Sequence, residues 1–144
     1  MISRVMRNRM ENILKSRNIK PTAMRILVLE VLAGQDAAIG LPELEQLFDR
    51  ADKTTLYRTL KVFEEKKLIH RIDDGTGSVK YALCPANCEC MPEDLHVHFL
   101  CTSCKKTYCL PDIPVPTIQL PGDFSVESVN MVAKGICSKC NQVA

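Results

Sequence analysis

Eight cysteines occur in this 144-residue chain, and all of them lie at or after position 84. Four of them form two Cys-x-x-Cys pairs, Cys101 with Cys104 and Cys137 with Cys140. Two such pairs supply four thiolates for a tetrahedral zinc site, and a closed site of this kind stabilises the fold because the unfolded chain has no preformed cage. The spacing therefore predicts a structural Zn²⁺ ion. A pair of disulfides is the alternative, and it would require an oxidising compartment.

A second group of metal-binding residue types lies just upstream, in residues 84–98. Alternate residues of a strand point to the same face, so two histidines spaced by two can address one ion. Thiolate with imidazole favours zinc or copper(I). The sequence predicts a sensing site for a second metal ion, Zn²⁺ in the first place and Fe²⁺ as the alternative, formed by Cys88, Cys90, His96 and His98, with Cys84 as a further option. Histidines that only hydrogen-bond to their neighbours are the other interpretation.

Two more residues of ligating type are expected to have other roles. Cys109 is predicted to pack in the core, because free cysteine often behaves as a small buried hydrophobe. His70 stands alone on a predicted strand, so we expect it to be solvated or hydrogen-bonded. The sequence contains no His-Glu-x-x-His motif, nucleophile elbow or phosphate-binding glycine loop. We therefore expect a protein that is not an enzyme.

Positive charge is concentrated in the first part of the chain. The net charge is only +2, but residues 1–83 hold 15 Lys and Arg against 11 acidic residues, and residues 84–144 hold 4 against 6. Such an excess suits contact with a polyanion, although a solvated basic helix face is the alternative. Because the cysteines are confined to the other part, the chain divides into two predicted functional units.

Apolar spacing and turn residues predict four helices in the first unit. The fourth is capped by Asp52 or Thr54 and buries Leu56, Leu60 and Phe63, which recur at i, i+4 and i+7. Its opposite face carries hydrogen-bond donors, one aromatic ring and positive charge. This face and two basic residues from earlier helices are candidates for contact with a polyanion such as double-stranded DNA, the full set being Thr54, Thr55, Tyr57, Arg58, Lys61, Lys15 and Arg25.

Beyond Leu68 the pattern changes to alternation, which predicts a β-hairpin across residues 69–83 with a glycine-containing turn. Helices followed by a hairpin are typical of the winged-helix domain, in which the second helix of the motif lies in the major groove. Another small α+β domain is the alternative. Short strands are expected around the Cys-x-x-Cys pairs, and four prolines make a helix over residues 111–121 unfavourable.

The composition, with 46% hydrophobic and 25% charged residues, is that of a soluble globular protein. No stretch approaches the roughly 18–20 apolar residues that a membrane span needs, and the first residues lack the apolar core of a signal peptide. We therefore expect a cytoplasmic protein with no membrane partner.

Four motifs together resemble the ferric uptake regulator family, and the resemblance extends over about residues 12–141. They are Pro21-Thr22-x-x-Arg25, Thr55-Leu56-Tyr57-Arg58-Thr59-Leu60, His96-x-His98-Phe99-x-Cys101-x-x-Cys104 and Cys137-x-x-Cys140. The resemblance implies an α+β protein with a winged-helix DNA-binding domain over residues 1–83, a cysteine-containing hinge or insertion over 84–95, and a small α/β zinc-binding dimerisation domain over 96–144. It also implies a homodimeric, metal-responsive repressor in which Tyr57 and Arg58 contact the operator and the two motif histidines belong to the sensing site.

The chain departs from the family pattern near the predicted sensing site. Residues 36–40 contain no histidine, and Ala82 stands where relatives often place a ligating Glu. The cysteines of residues 84–95 make the site more similar to the zinc-responsive branch of the family. The proline-rich segment 111–121 replaces much of the helix of the family's dimerisation domain. Two alternatives remain, a thiol redox sensor that uses Cys84, Cys88 and Cys90, and a zinc-ribbon interaction module without DNA binding.

Overall fold

A computed structural model describes residues 3–48, 51–83, 96–127 and 129–142. Cys84, Cys88 and Cys90, three of the predicted sensing-site ligands, lie outside the described residues. The described part contains helices and two small sheets, which confirms the α+β class. In chain order they are α1 (Arg4–Ser16), α2 (Ala23–Ala33), β1 (Ile39–Gly40), α3 (Leu41–Leu47), α4 (Lys53–Glu65), β2 (Ile69–Asp73), β3 (Val79–Leu83), β4 (His96–Cys101), β5 (Thr107–Pro114), β6 (Val132–Gly135) and α5 (Ser138–Asn141).

Side-chain caps fix where the long helices of the first unit begin. Thr22 accepts a hydrogen bond from the Arg25 backbone N–H at the start of α2, and Asp52 accepts one from the Thr54 N–H at the start of α4. Each cap satisfies one of the N–H groups that a first helical turn leaves without a partner. Asp52 is therefore the N-cap residue of α4, and it is one of the two caps that the sequence predicts.

The core of the first unit is formed where these helices meet the hairpin. Leu56, Leu60 and Phe63 of α4 are at most 1% exposed, which confirms the predicted buried face. They pack with residues of α1, α2 and β2 in one apolar cluster. Because these residues fill one side of α4, its other side is left to solvent, and this orientation decides which residues can meet a ligand.

The hairpin and β1 form a three-stranded antiparallel sheet in the order β1-β3-β2. The turn that joins β2 to β3 contains Gly75 and Gly77, both with φ near +85°, a conformation that residues with a Cβ rarely adopt. The helices together with this hairpin form the winged-helix arrangement expected from the sequence.

The second sheet has the order β5-β4-β6, in which β4 pairs antiparallel with β5 and parallel with β6. Residues 115–127 contain neither helix nor strand, in keeping with the prolines of that segment. Across the described residues, no helix has the length and apolar character needed to cross a bilayer.

The two sheets are joined by a direct backbone contact. The Ala38 N–H, just before β1, donates to the Thr107 carbonyl at the start of β5 over 2.7 Å. Side chains of the loop after α2 and of the hairpin also reach the second sheet. The winged-helix unit and the cysteine-rich unit therefore meet along β5.

Candidate functional site

The four cysteines of the two Cys-x-x-Cys pairs lie together at one end of the second sheet. Cys101 ends β4 and Cys104 follows in the turn toward β5, where Lys105 takes a left-handed conformation with φ 66°. Cys137 is the N-cap residue of α5 and Cys140 lies within that helix. The parallel pairing of β4 with β6 brings both pairs to the same edge. All four sulfur atoms lie within 4.8 Å of one another.

The spacing of these sulfur atoms matches a tetrahedral zinc site. The Cys101 and Cys140 sulfurs are 3.7 Å apart, and the Cys104 and Cys137 sulfurs are 3.9 Å apart. Zinc–sulfur bonds of about 2.3 Å in tetrahedral geometry place sulfurs about 3.8 Å apart, whereas a disulfide holds them at about 2.05 Å. All four are free thiols. The arrangement therefore fits the predicted structural zinc and not the alternative of two disulfides.

Local hydrogen bonds prepare this cluster for a cation. The backbone N–H groups of Cys104 and Cys137 both donate to the Cys101 sulfur over 3.4 Å and lower the pKa of the Cys101 thiol to about 6. For Cys140, a hydrogen bond with Ser103 lowers the pKa, but contact with the thiols of Cys137 and Cys101 outweighs it and raises the pKa to about 11. The hydrogen bonds thus stabilise the thiolate form of Cys101, and metal ligation requires the cysteines to be deprotonated.

A second cluster of ligating atoms lies between the two units. It consists of His70 on β2, His98 on β4 and Cys109 on β5, and their ligand atoms all lie within 4.8 Å of one another. The Cys109 sulfur is 3.6 Å from Nε2 of His70, and the rings of His70 and His98 have centroids 5.6 Å apart. His98 is only 9% exposed. Two imidazoles and one thiol on three strands form a donor set that suits Zn²⁺.

The placement of Cys109 corrects the sequence-based prediction of core packing. Cys109 lies opposite His98 in the β4–β5 register, so their side chains project from the same face of the sheet. That face is turned toward β2 of the first unit, where His70 lies. His70 therefore hydrogen-bonds, as expected, and its partner Cys109 and its neighbour His98 can both bind a metal ion.

That His96 and His98 bind one ion together stays a prediction. The β4–β5 register shifts between His96 and Val97, so the regular pairing that places His98 opposite Cys109 does not continue to His96. Cys84, Cys88 and Cys90 lie outside the described residues, and their membership of the site stays a prediction.

The exposed side of α4 forms one wall of a groove whose other wall is the start of α2. Tyr57 is 48% exposed, and the Arg25 guanidinium is held over the groove by a 2.9 Å hydrogen bond to the Lys20 carbonyl. The predicted DNA-contacting residues that line this groove are Arg25, Thr55, Tyr57, Arg58 and Lys61. Thr54 is exposed at the start of α4, and Lys15 is exposed near the end of α1.

Two known metal-uptake regulation proteins are similar to this chain in sequence. The chain is 28% identical to the zinc uptake regulation protein of Escherichia coli (strain K12), over 92% of this chain and 80% of that protein. It is also 28% identical to the ferric uptake regulation protein of Rhizobium leguminosarum bv. viciae, over 63% of this chain and 62% of the relative.

Among solved structures, a zinc uptake regulator complexed with zinc and DNA superposes with a TM-score of 0.68 at 22% identity, covering 99% of this chain and 97% of the other. This likeness shows that the fold is shared. The model of the ferric uptake regulator family matches residues 16–131, well over half of the sequence. This chain therefore belongs to the ferric uptake regulator family, whose members are metal-responsive, DNA-binding transcription regulators and not enzymes.

Proposed function

We propose that this protein is a zinc-responsive transcriptional repressor that binds operator DNA as a homodimer when a second zinc ion occupies the His70, His98 and Cys109 cluster. The observation that carries this proposal is the position of the cluster, with one ligand on the winged-helix unit and two on the four-cysteine unit. An ion held there would tie the DNA-binding helices to the second sheet. A cytoplasmic location follows from the same proposal.

The four-cysteine cluster serves a different purpose in this account. Its ligands all come from residues 101–140 of the second unit, so a zinc ion there would stabilise that unit without reporting on the orientation of the first. Cys101, Cys104, Cys137 and Cys140 would therefore hold a structural ion, and the cluster between the units would hold the sensed one.

The mechanism is a shift between orientations of the two units. Without the second ion, the docked orientation of β2 against β4 and β5 is one of several that are populated, and the two winged helices of a dimer sample separations that do not match successive major grooves. His70 on β2 loses this freedom when it shares an ion with His98 and Cys109.

The donor types support zinc as the sensed metal, with Fe²⁺ as the alternative. A thiolate among the ligands favours zinc over metals that prefer oxygen and imidazole donors. Zinc sites that respond to supply need a fourth ligand or a water to complete the tetrahedron. We propose Cys84 for this position, because it is joined directly to the end of β3 and β3 pairs with the β2 strand that carries His70. Cys88, Cys90 and His96 are the other choices.

DNA contact is assigned to the exposed side of α4. Arg58 and Lys61 supply positive charge for phosphates, and the ring of Tyr57 can pack against a thymine methyl group. Arg25 lies across the groove and would contact the backbone of the same major groove. Lys15 of α1 and Thr54 of α4, which are both exposed, would add phosphate contacts.

Dimerisation is assigned to the second unit. Its described residues expose large apolar side chains that a second copy of the chain would cover, namely Ile113, Ile118, Leu120, Phe124, Val126, Met131 and Ile136. Most of them fall in a stretch without helix or strand, so this interface would be made by an extended segment in place of a helix.

Metal content and DNA affinity test the proposal together. We expect two zinc ions per chain in the wild type and one in His70→Ala, because the four-cysteine cluster is left intact. Arg71→Ala is the control, since Arg71 is the next residue of β2 and is exposed. DNA binding of His70→Ala should no longer respond to zinc. A His70→Ala protein that retains two ions, or that still responds to zinc, would overturn the proposal.

A further inference from the structure

Three buried polar residues form a network between the two units, separate from both metal clusters. Asp74 directly follows β2, Lys80 lies on β3 and Thr107 begins β5. Asp74 is 1% exposed, Lys80 8% and Thr107 0%. A buried Asp and a buried Lys are rare unless they are paired and hydrogen-bonded.

The hydrogen bonds of this network are complete. The Lys80 ammonium donates to Asp74 Oδ2 over 2.7 Å, to Thr107 Oγ1 over 3.1 Å and to the Lys105 carbonyl over 3.3 Å. The Thr107 hydroxyl in turn donates to Asp74 Oδ2 over 2.6 Å. The three N–H groups of the ammonium thus have three acceptors, two of which belong to the second unit.

Asp74 is itself fixed within the first unit. Its other oxygen, Oδ1, accepts hydrogen bonds from the backbone N–H of Thr76 over 3.0 Å and from the Thr76 hydroxyl over 2.5 Å. Burial by itself raises the pKa of Asp74, but the hydrogen bonds from Lys80, Thr107 and Thr76 outweigh it and hold this pKa well below its usual value. The carboxylate is therefore charged, and its hydrogen bonds fix its orientation. A sideways movement of β5 would break its hydrogen bond to Thr107.

The network and the sensing cluster share the same two strands. On β5, Thr107 and Cys109 are two residues apart and project from the same face. Close to β2, Asp74 lies four residues after His70. Contacts of Asp74 with Thr107 and of His70 with Cys109 therefore both join this part of the first unit to β5.

We propose that Asp74, Lys80 and Thr107 are positioning residues that dock the winged-helix unit on the second unit and thereby preorganise His70, His98 and Cys109 for metal. The network does not bind the ion. Its value lies in specifying one orientation, because a buried ion pair adds little net stability and loses much when one partner is displaced. This inference deepens the proposed function and rests on it.

An exposed ion pair between the same units provides a matched comparison. Asp36, in the loop after α2, pairs with Lys139 and lies 3.6 Å from Lys106. The Asp36 side chain is 47% exposed, so solvent screens the pair and its removal has little effect. Asp36→Asn removes a contact between the units without touching the buried network.

The test compares Thr107→Val, which removes the hydroxyl at nearly constant volume, with Thr107→Ser, which keeps it, and with Asp36→Asn. The first measurement is hydrogen exchange at the Ala38 amide, which donates across the same junction, in protein with zinc only in the four-cysteine cluster. The second is the affinity for the second zinc ion, measured by chelator competition. Zinc retained in the four-cysteine cluster shows that the second unit is folded.

We expect Thr107→Val to speed exchange at Ala38 and to weaken second-site zinc binding, each by about tenfold or more, because a hydrogen bond to a charged group is lost. Thr107→Ser and Asp36→Asn should each stay within about threefold of the wild type. Unchanged exchange and affinity in Thr107→Val would overturn the positioning role, as would equal losses in Thr107→Ser.

Two further results distinguish failure of the proposed function from failure of the docking role. If the wild type binds no second zinc ion, the proposed function fails, and the exchange comparison decides the docking role without it. If Thr107→Val loses zinc from the four-cysteine cluster, Lys80→Met tests the same network from the first unit, and wild-type exchange at Ala38 in that variant would overturn the proposal.

Discussion

Replacing the Cys109 sulfur by oxygen tests the sensing cluster with minimal change of shape. The Cys109 sulfur lies opposite His98 and 3.6 Å from Nε2 of His70. Cys109→Ser keeps a side chain of similar shape at this position, but a neutral hydroxyl is a poor zinc ligand. The binding free energy of Zn²⁺ at a four-ligand site is about 10–16 kcal/mol. One ligand in four accounts for about 3 kcal/mol of this, which is on the order of a hundredfold in affinity. We therefore expect second-site zinc binding to weaken by about two orders of magnitude.

The assay is chelator competition on protein that already holds one zinc ion per chain. A chelator of known affinity reports the second ion, and elemental analysis confirms that the four-cysteine cluster stays filled. Asp112→Asn is the matched control, because Asp112 lies on the same strand and is exposed. That variant should bind the second ion like the wild type.

Wild-type zinc affinity in Cys109→Ser would refute the assignment of Cys109 as a ligand. An equal loss in Asp112→Asn would refute it too, because the effect would then come from a general disturbance of β5. Loss of both ions from Cys109→Ser would show that the two clusters are not separate sites, contrary to their described ligand sets.

Three further predictions follow from other parts of the molecule. Arg58→Ala should weaken binding to DNA and lower the slope of affinity against salt by about one; an unchanged slope in a salt titration would exclude a phosphate contact. Folding lowers the pKa of Asp74. The stability contributed by its charge is therefore fully present at a pH above the unfolded-state pKa of about 3.8, and it is lost as the pH falls from there through the folded-state pKa. The difference in unfolding free energy between wild type and Asp74→Asn should therefore shrink as denaturant titrations are moved from about pH 6 toward pH 3, and a difference that grows would contradict the assignment. Phe124→Glu, at a side chain that is 62% exposed, should convert the dimer to a monomer in sedimentation experiments, whereas Lys134→Glu should not; a dimeric Phe124→Glu would place the interface elsewhere.

Local features of the fold follow directly from the sequence. The spacing of Leu56, Leu60 and Phe63 fixes which side of α4 is buried, and hence which side can face DNA. Thr22 and Asp52 mark helix starts because their side chains can satisfy free N–H groups nearby. The four-cysteine cluster is equally predictable, since each Cys-x-x-Cys turn directs two sulfurs to one point.

The second cluster was only partly predictable, because it depends on the register and packing of distant strands. One signal was available: a hairpin whose loop comprises residues 102–105 puts residue 98 opposite residue 109, as the β4–β5 register shows. That symmetry would have joined His98 with Cys109. The position of His70 depends on how the two units dock, and the docking involves Asp74 and Thr107, which are 33 positions apart in the chain. No local pattern contains that information.

The measurement that tests the central claim most directly is DNA affinity with and without the second zinc ion. Protein with zinc only in the four-cysteine cluster is titrated with zinc at fixed salt, against a duplex selected from a random pool by the fully loaded protein. We predict that filling the cluster of His70, His98 and Cys109 tightens DNA binding by about tenfold or more, and that His70→Ala abolishes the change. Equal affinity of the one-zinc and two-zinc forms would contradict the account.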